Sequence, residues 1–302
     1  MRIAHLSDLH LSPDHFPDRT DAFYGILQQC SSLEVDHIVI TGDITNQAKP
    51  NEFAHVRNIL NEFHLLDPSK LTVTIGNHDV FGGPYYAEDV LSFPGFCRET
   101  NYNAKVKEFY ESFRESFERC QYINSSSIFP FVKILKGVAL VGINSVARWS
   151  PLSNPLGSNG EIEPEEFRQL KEIFQREMLK EKNVLVLIHH HFNKIEKKGT
   201  TGKLDQLWHA VEMNTMKLKR KKRLFKLFNM MPVGKVLHGH FHHHAHYERK
   251  NIGFLNAGGT MFADVDGTRR FHLLNIHPKG IDHSDVGIPI SKTTEEIFIH
   301  AG

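Results

Sequence analysis

Short apolar runs recur along the chain, and each stops at a small cluster of polar residues. Arg2 to Leu6, His37 to Thr41 and Leu71 to Ile75 read as buried strands. Between them, Asp21 to Leu33 and Glu52 to Phe63 have helical spacing; in the second, Phe53, Val56, Ile59, Leu60 and Phe63 share one face. Strand, helix, strand, helix, strand is the pattern of crossover units in an α/β sheet. Further strands are expected at Phe131 to Leu135, Val138 to Ile143, Val184 to Ile188 and Lys235 to Leu237. A helix over Pro164 to Leu179 is favoured by Glu163, Glu165 and Glu166 around its first turn, where the helix dipole prefers negative charge. From Tyr247 to Ile276 the pattern alternates as in antiparallel strands.

The polar ends of these runs carry the chemistry. They read Asp8-x-His10, Gly42-Asp43, Gly76-Asn77-His78-Asp79, His189 and Gly239-His240-x-His242. An α/β sheet gathers such ends at one edge, so residues remote in sequence can converge. In extended backbone, residues two apart share a face, which would aim Asp8 with His10, and His240 with His242, at one point. Gly76 allows a tight turn. Asn77 then offers a neutral oxygen and His78 an imidazole, whose ring Asp79 is expected to hold by hydrogen bond. A donor set of oxygen and imidazole without thiolate suits Mn, Fe or Zn better than a soft copper site. Asp8, His10, Asp43, Asn77, His189, His240 and His242 are too many for one tetrahedral ion. They suit two ions, roughly 3.5–4 Å apart, sharing a carboxylate; such a pair clamps phosphate oxygens and turns a bridging water into hydroxide that attacks phosphorus.

Taken together and in this order, the motifs resemble those of the calcineurin-like metallophosphoesterase superfamily, over the span from Asp8 to His242. The resemblance implies a four-layer αββα sandwich of two mixed β-sheets flanked by helices. It implies that Asp8, His10 and His242 hold one metal, that Asn77, His189 and His240 hold the second, and that Asp43 bridges them. It further implies catalytic roles for His78, which would contact phosphate or protonate the leaving group, and for Asp79, which would orient it. Within His189-His190-His191 the family's usual ligand is the first His, but a one-residue slip would select His190 by reversing the side-chain face.

Composition adds limits. With 40% hydrophobic and 24% charged residues and a net charge of +1, the chain is ordinary for a globular enzyme and has no global pull toward nucleic acid or membrane. Cys30, Cys97 and Cys120 make neither a disulfide framework nor a zinc finger. No run of 18 apolar residues is present, and Met1-Arg2-Ile3 leads straight into a strand, so neither a spanning helix nor a leader is expected and the cytoplasm is the expected location. Histidine is abundant, at 21 residues. His5, His15, His238, His243, His244 and His246 are read as polar surface residues or hydrogen-bonded neighbours, although His244 and His246 extend the alternation and could meet an extra ion.

One domain is expected over 1–302, with two insertions. Residues 81–130, rich in aromatics such as Tyr85, Tyr86, Phe93, Phe96 and Tyr102 and followed by a polar helix near Ala104 to Arg119, read as a lid overhanging the site. Residues 192–232 hold a basic stretch, 216–228, in which Lys217, Lys219, Arg220, Lys221, Lys222, Arg223 and Lys226 interleave with Leu218, Leu224, Phe225, Leu227 and Phe228. Such a helix packs its apolar side on its own sheet or lies on an anionic membrane.

The function expected is a dinuclear metal-dependent phosphohydrolase, a phosphodiesterase of a small phosphorylated substrate such as a cyclic nucleotide or glycerophosphodiester. The alternative uses the basic stretch: a pyrophosphatase of a UDP-sugar-linked lipid such as UDP-2,3-diacylglucosamine, peripheral at the inner membrane face. One group of those enzymes carries Asn-Arg-Asp where this chain has Asn77-His78-Asp79, which argues against that group. Nuclease activity ranks lower, because no added nucleic-acid-binding segment is seen. A non-catalytic scaffold also ranks lower, because every expected ligand position is filled.

Overall fold

Apolar runs buried on both faces build two stacked sheets. The computed structural model describes residues 1–84, 89, 92–193, 216–230, 233–264 and 266–290. The strands are β1 (Arg2–Leu6), β2 (His37–Thr41), β3 (Leu71–Thr74), β4 (Cys120–Gln121), β5 (Phe131–Leu135), β6 (Val138–Ile143), β7 (Asn183–Ile188), β8 (Val233–His238), β9 (His244–Arg249), β10 (Ile252–Ala257), β11 (Thr268–His277) and β12 (Gly280–Pro289). The helices are α1 (Pro17–Ser32), α2 (Pro50–Glu62), α3 (Phe93–Glu99), α4 (Tyr102–Ser112), α5 (Arg114–Phe117), α6 (Pro164–Ile173) and α7 (Lys221–Phe228).

One sheet has the order β12-β11-β1-β2-β3 and the other β4-β5-β6-β7-β8-β10-β9. Strands β1, β2 and β3 are parallel, as are β6, β7, β8 and β10. The C-terminal part is therefore less simply antiparallel than its alternation suggests: β10 pairs in parallel with β8 before β9 folds back on it.

Alternate residues on these strands enter different layers. Ile3, Val39, Leu140, Leu185, Leu187, Leu237, Leu255 and Leu274 meet between the sheets. Ala4, Leu6, Ile38 and Ile40 face the opposite way, onto Phe23, Ile26 and Leu27 of α1 and Phe53, Val56 and Leu60 of α2. Val141, Val184, Val186 and Ile188 face out on the second sheet, onto Phe167 and Leu170 of α6 and Leu224, Phe225 and Phe228 of α7. Strands apolar on both faces are what a sheet covered on both sides requires. The result is the αββα sandwich.

Of the two insertions, the first differs from its sequence reading where it is described. In the 81–130 segment, Phe109, Phe113 and Phe117 are buried in the same core as Phe53, so α4 and α5 belong to the body of the domain rather than hanging over it. The polarity of this segment concealed a phenylalanine at every fourth position, which is one stripe of a helix. The start of the segment does reach the site: a Cβ on Gly83 would fall 2.0 Å from the His78 ring. Tyr85 and Tyr86 lie outside the described residues. In the basic stretch, α7 buries Leu224, Phe225, Leu227 and Phe228, so its apolar side is already taken up by the protein's own sheet. Residues 194–215 of that insertion lie outside the described residues. Among the described residues no helix is long and apolar enough to cross a membrane.

Arg57 on α2 holds α5 in place with a two-pronged bond to Glu115, at 2.8 and 2.9 Å. That guanidinium pulls the Glu115 carboxyl down to about 2 from its ordinary 4.5. A carboxylate lowered on folding adds stability that is whole above the ordinary value and lost as pH falls through the folded one. Glu115→Gln is expected to remove about 1 kcal/mol near neutral pH, and the difference from the wild type should shrink as pH falls below about 4.5 toward 2. Urea midpoints followed down the acid limb measure this.

Candidate metal centre

Parallel pairing of β1, β2 and β3 brings the turns after all three to one edge. The turns then continue the pairing by themselves. The Asp8 N–H donates to the Gly42 carbonyl (3.1 Å), His10 N–H to Asp43 (3.0 Å) and Leu11 N–H to Ile44 (3.0 Å). This backbone is not extended. Asp8, His10, Asp43 and His240 have φ of 56°, 45°, 50° and 72°. The alternating-face argument for Asp8-x-His10 is thus corrected: left-handed turns, not a continuing strand, aim these side chains. Each such residue costs about 1–3 kcal/mol unless its surroundings hold it, and such strain clusters at functional sites.

The sequence-predicted residues converge. His10 Nε2 lies 2.9 Å from His242 Nε2, and His242 Nε2 lies 3.6 Å from Asp8 Oδ1. His10 Nε2 is 3.8 Å from both Asp8 Oδ1 and Asp43 Oδ2. On the other side of Asp43, its Oδ2 is 3.2 Å from His189 Nε2. That nitrogen is also 3.2 Å from Asn77 Oδ1 and 3.2 Å from His240 Nδ1. Asp43 therefore lies between two groups of donors. The ring that joins them is His189. His190 turns away, its Nδ1 bonding Ser145 Oγ at 2.8 Å and its Nε2 donating to the Ser158 carbonyl at 3.3 Å.

Close backbone approach is built in through glycine. A Cβ on Gly239 would fall 1.9 Å from Ser7 Oγ and 2.1 Å from Asp8 Oδ2, and one on Gly76 would fall 2.2 Å from Asp43 Oδ1. The residue after Gly239 exploits the space: the His240 N–H donates to both Asp8 oxygens, at 3.1 and 2.9 Å.

The donor set fits metal ions. His189 donates Nδ1–H to the Thr41 carbonyl (2.8 Å), which leaves the Nε2 lone pair facing Asp43 and Asn77. A carbonyl behind a histidine is the usual support of a metal ligand. Burial holds His10 and His240 well below the ordinary imidazole range, so both are neutral bases able to ligate. The buried Nδ1 of His10 and Nε2 of His240 have no hydrogen-bond partner. Burial pushes Asp8 up to about 7, opposed by His189 and assisted by the charge of Asp43. Burial also pulls His189 down, but Asp43 outweighs it and lifts the ring to about 9. A positive charge is favoured at that point, whether proton or metal ion.

His78 and Asp79 divide their work differently from the sequence reading. The His78 ring is held by the Asn46 carbonyl, which accepts from Nδ1–H at 3.0 Å. Asp79 instead ties the turns together. Its Oδ1 accepts from the N–H groups of Ile44 (3.0 Å) and Thr45 (2.9 Å) and from Thr45 Oγ1 (3.1 Å), and its Oδ2 from the Gly76 N–H (3.0 Å). It is thus a positioning residue for the turn that carries Asp43. The other histidines are not surface residues throughout: His5 and His238 are fully buried, bonded to Thr41 Oγ1 (2.9 Å) and Tyr247 Oη (2.7 Å). Asn46 could not have been singled out in the sequence, since it acts through its backbone.

Known proteins share this fold. A family model described as calcineurin-like phosphoesterase matches residues 1–244. None of the curated proteins compared with the chain matches it. Among solved structures, a dimetal phosphatase from Danio rerio is similar at a TM-score of 0.57 and 10% identity, over 96% of this chain and 99% of that one. The purple acid phosphatase PPD1 from yellow lupin (Lupinus luteus) seeds is similar at a TM-score of 0.59 and 10% identity, over 95% of this chain but 51% of that one. At such identities the likeness speaks for the fold, and the family match speaks for the kind of site. The chain belongs to the calcineurin-like phosphoesterase family, metal-dependent hydrolases of phosphoric esters that use dinuclear centres.

Proposed function

We propose that the chain is a phosphodiesterase of small substrates, such as a cyclic nucleotide or a glycerophosphodiester. In this reading Asp8, His10 and His242 hold one ion, Asn77, His189 and His240 hold the other, and Asp43 is shared. When bound, the ions supply Lewis-acid polarisation of the phosphoryl oxygens and a water acidic enough to act near neutral pH. The protein's own part falls to His78. Its Nδ1–H is committed to Asn46, so Nε2 is the atom that can carry a proton to the departing oxygen.

The charge of the lining supports a diester. Arg19, the guanidinium beside His10 and His242, donates to the His10 carbonyl at 3.1 Å and faces the rings of Phe16 and Phe262 at 3.9 and 5.3 Å. One of its N–H groups is thus spent on the protein's own backbone. A monoester brings a charge of about −1.5 to −2 and calls for added cations, whereas a diester brings a single charge. Phe262 also stacks on His242, with ring centroids 4.2 Å apart, and gives the site an apolar shelf for a base or an alkyl group. That α7 keeps its apolar side inside the protein supports a substrate taken from solution.

The test is turnover by the Mn-loaded protein of bis-p-nitrophenyl phosphate, p-nitrophenyl phosphate and cyclic AMP. The diesters should exceed the monoester in kcat/KM by about ten-fold or more, a barrier difference of about 1.4 kcal/mol or more. A monoester turned over faster than either diester would overturn the assignment.

A further inference from the structure

At one open edge of the sandwich the layer between the sheets changes from aliphatic to histidine. His244 begins β9, the edge strand of the larger sheet, while His272 lies on β11 and Asp285 on β12, the edge strand of the smaller sheet. His272 and Asp285 are direct cross-strand partners. Asp285 Oδ1 lies 2.9 Å from His272 Nδ1 and 3.0 Å from His244 Nε2. The two rings stack with centroids 4.0 Å apart. We propose that His244, His272 and Asp285 form a further metal site, for a zinc-type divalent cation, that ties the two sheets together at their edges.

The geometry of the cluster carries the proposal. His272 Nε2 donates to the Asn256 carbonyl at 3.0 Å, and a carbonyl can only accept. With that N–H committed, Nδ1 is the atom His272 presents to the carboxylate, 2.9 Å from Asp285 Oδ1. Something positive belongs between them. His244 makes the same demand. It is buried, its Nε2 lies 3.0 Å from Asp285 Oδ1, and its Nδ1 has no hydrogen-bond partner.

The dinuclear centre repeats this construction within the same protein. His189 gives one N–H to a backbone carbonyl and turns the other nitrogen onto a carboxylate and a second histidine. His272 does likewise with Asn256 and Asp285, and the His244 ring stacks on it. The ligand atoms in the new cluster lie within 4.8 Å of one another, as do those of the groups around Asp8 and Asp43. A tetrahedral zinc ion with bonds of about 2.0–2.1 Å separates its ligand atoms by on the order of 3.3 Å, close to the 2.9 and 3.0 Å that now separate the Asp285 oxygen from the two ring nitrogens. Two histidines and a carboxylate leave a fourth position for water on the side where Asp285 is 38% exposed.

The test counts metal. Protein stripped of metal, reloaded with excess Zn²⁺ and desalted is measured by elemental analysis. Three ions per chain are expected for the wild type, and two for both Asp285→Asn and His244→Gln. Asp43→Asn should keep the third ion, which separates this site from the dinuclear centre. Chelator should lower the melting temperature of the wild type more than that of Asp285→Asn. Equal metal content in the wild type, Asp285→Asn and His244→Gln would mean that a proton alone holds the cluster, and would overturn the proposal.

Discussion

Asp43→Asn is expected to empty both positions of the dinuclear centre and to lower kcat/KM by on the order of 10³-fold or more. Losing a supporting group behind a metal ligand typically weakens binding by about 10–100-fold; this change removes a charge that both ions would share. The geometry leaves the amide no good orientation. Asp43 Oδ1 accepts the His78 N–H at 2.8 Å, while Oδ2 faces His189 Nε2 at 3.2 Å and His10 Nε2 at 3.8 Å. If the new carbonyl keeps the His78 bond, the NH₂ points at the cations. If it flips, NH₂ meets N–H. The residue is buried with a left-handed backbone, so it cannot swing away. Metal analysis beside turnover checks this. Retention of both ions at wild-type affinity would show that Asp43 is not the shared ligand.

Much of this arrangement was legible because strands and chemistry coincide in the sequence. Each apolar run ends in its polar cluster, and parallel pairing of β1 with β2 and β2 with β3 turns that coincidence into proximity. What could not be read is what depends on backbone or on register. The left-handed turns at Asp8, His10, Asp43 and His240 run against local propensity and are held by bonds between turns remote in sequence. The Asn46 carbonyl that fixes His78 carries no side-chain signal. Asp79 lies next to His78 in the chain, yet its carboxylate points back to Ile44, Thr45 and Gly76. His272 and Asp285 belong to no motif; only the pairing of β11 with β12, and of β1 with β11, sets them in a row with His5. In each case the missing information was a contact between segments, which residue order alone does not contain.

His78→Ala is expected to separate catalysis from metal holding. The ring approaches the centre: one of its nitrogens lies within 4.8 Å of ligand atoms of His10 and Asp43, and the His10 and His78 rings meet edge to face at 4.4 Å. Proximity alone would allow it to be a ligand. Two bonds argue otherwise. Nδ1–H is committed to the Asn46 carbonyl, and what steadies Asp43 is the backbone N–H of His78, which alanine retains. Metal content should therefore stay at the wild-type level while kcat falls by about 10²–10⁴-fold, the usual range for losing a general acid. The loss should depend on the leaving group. A p-nitrophenolate departs without a proton and should be affected least, whereas an alkoxide needs one and should be affected most, so the variant's rates should fall more steeply with leaving-group pKa than those of the wild type. An equal loss for every ester would reassign His78 to positioning the phosphoryl group, and loss of an ion would make it a ligand.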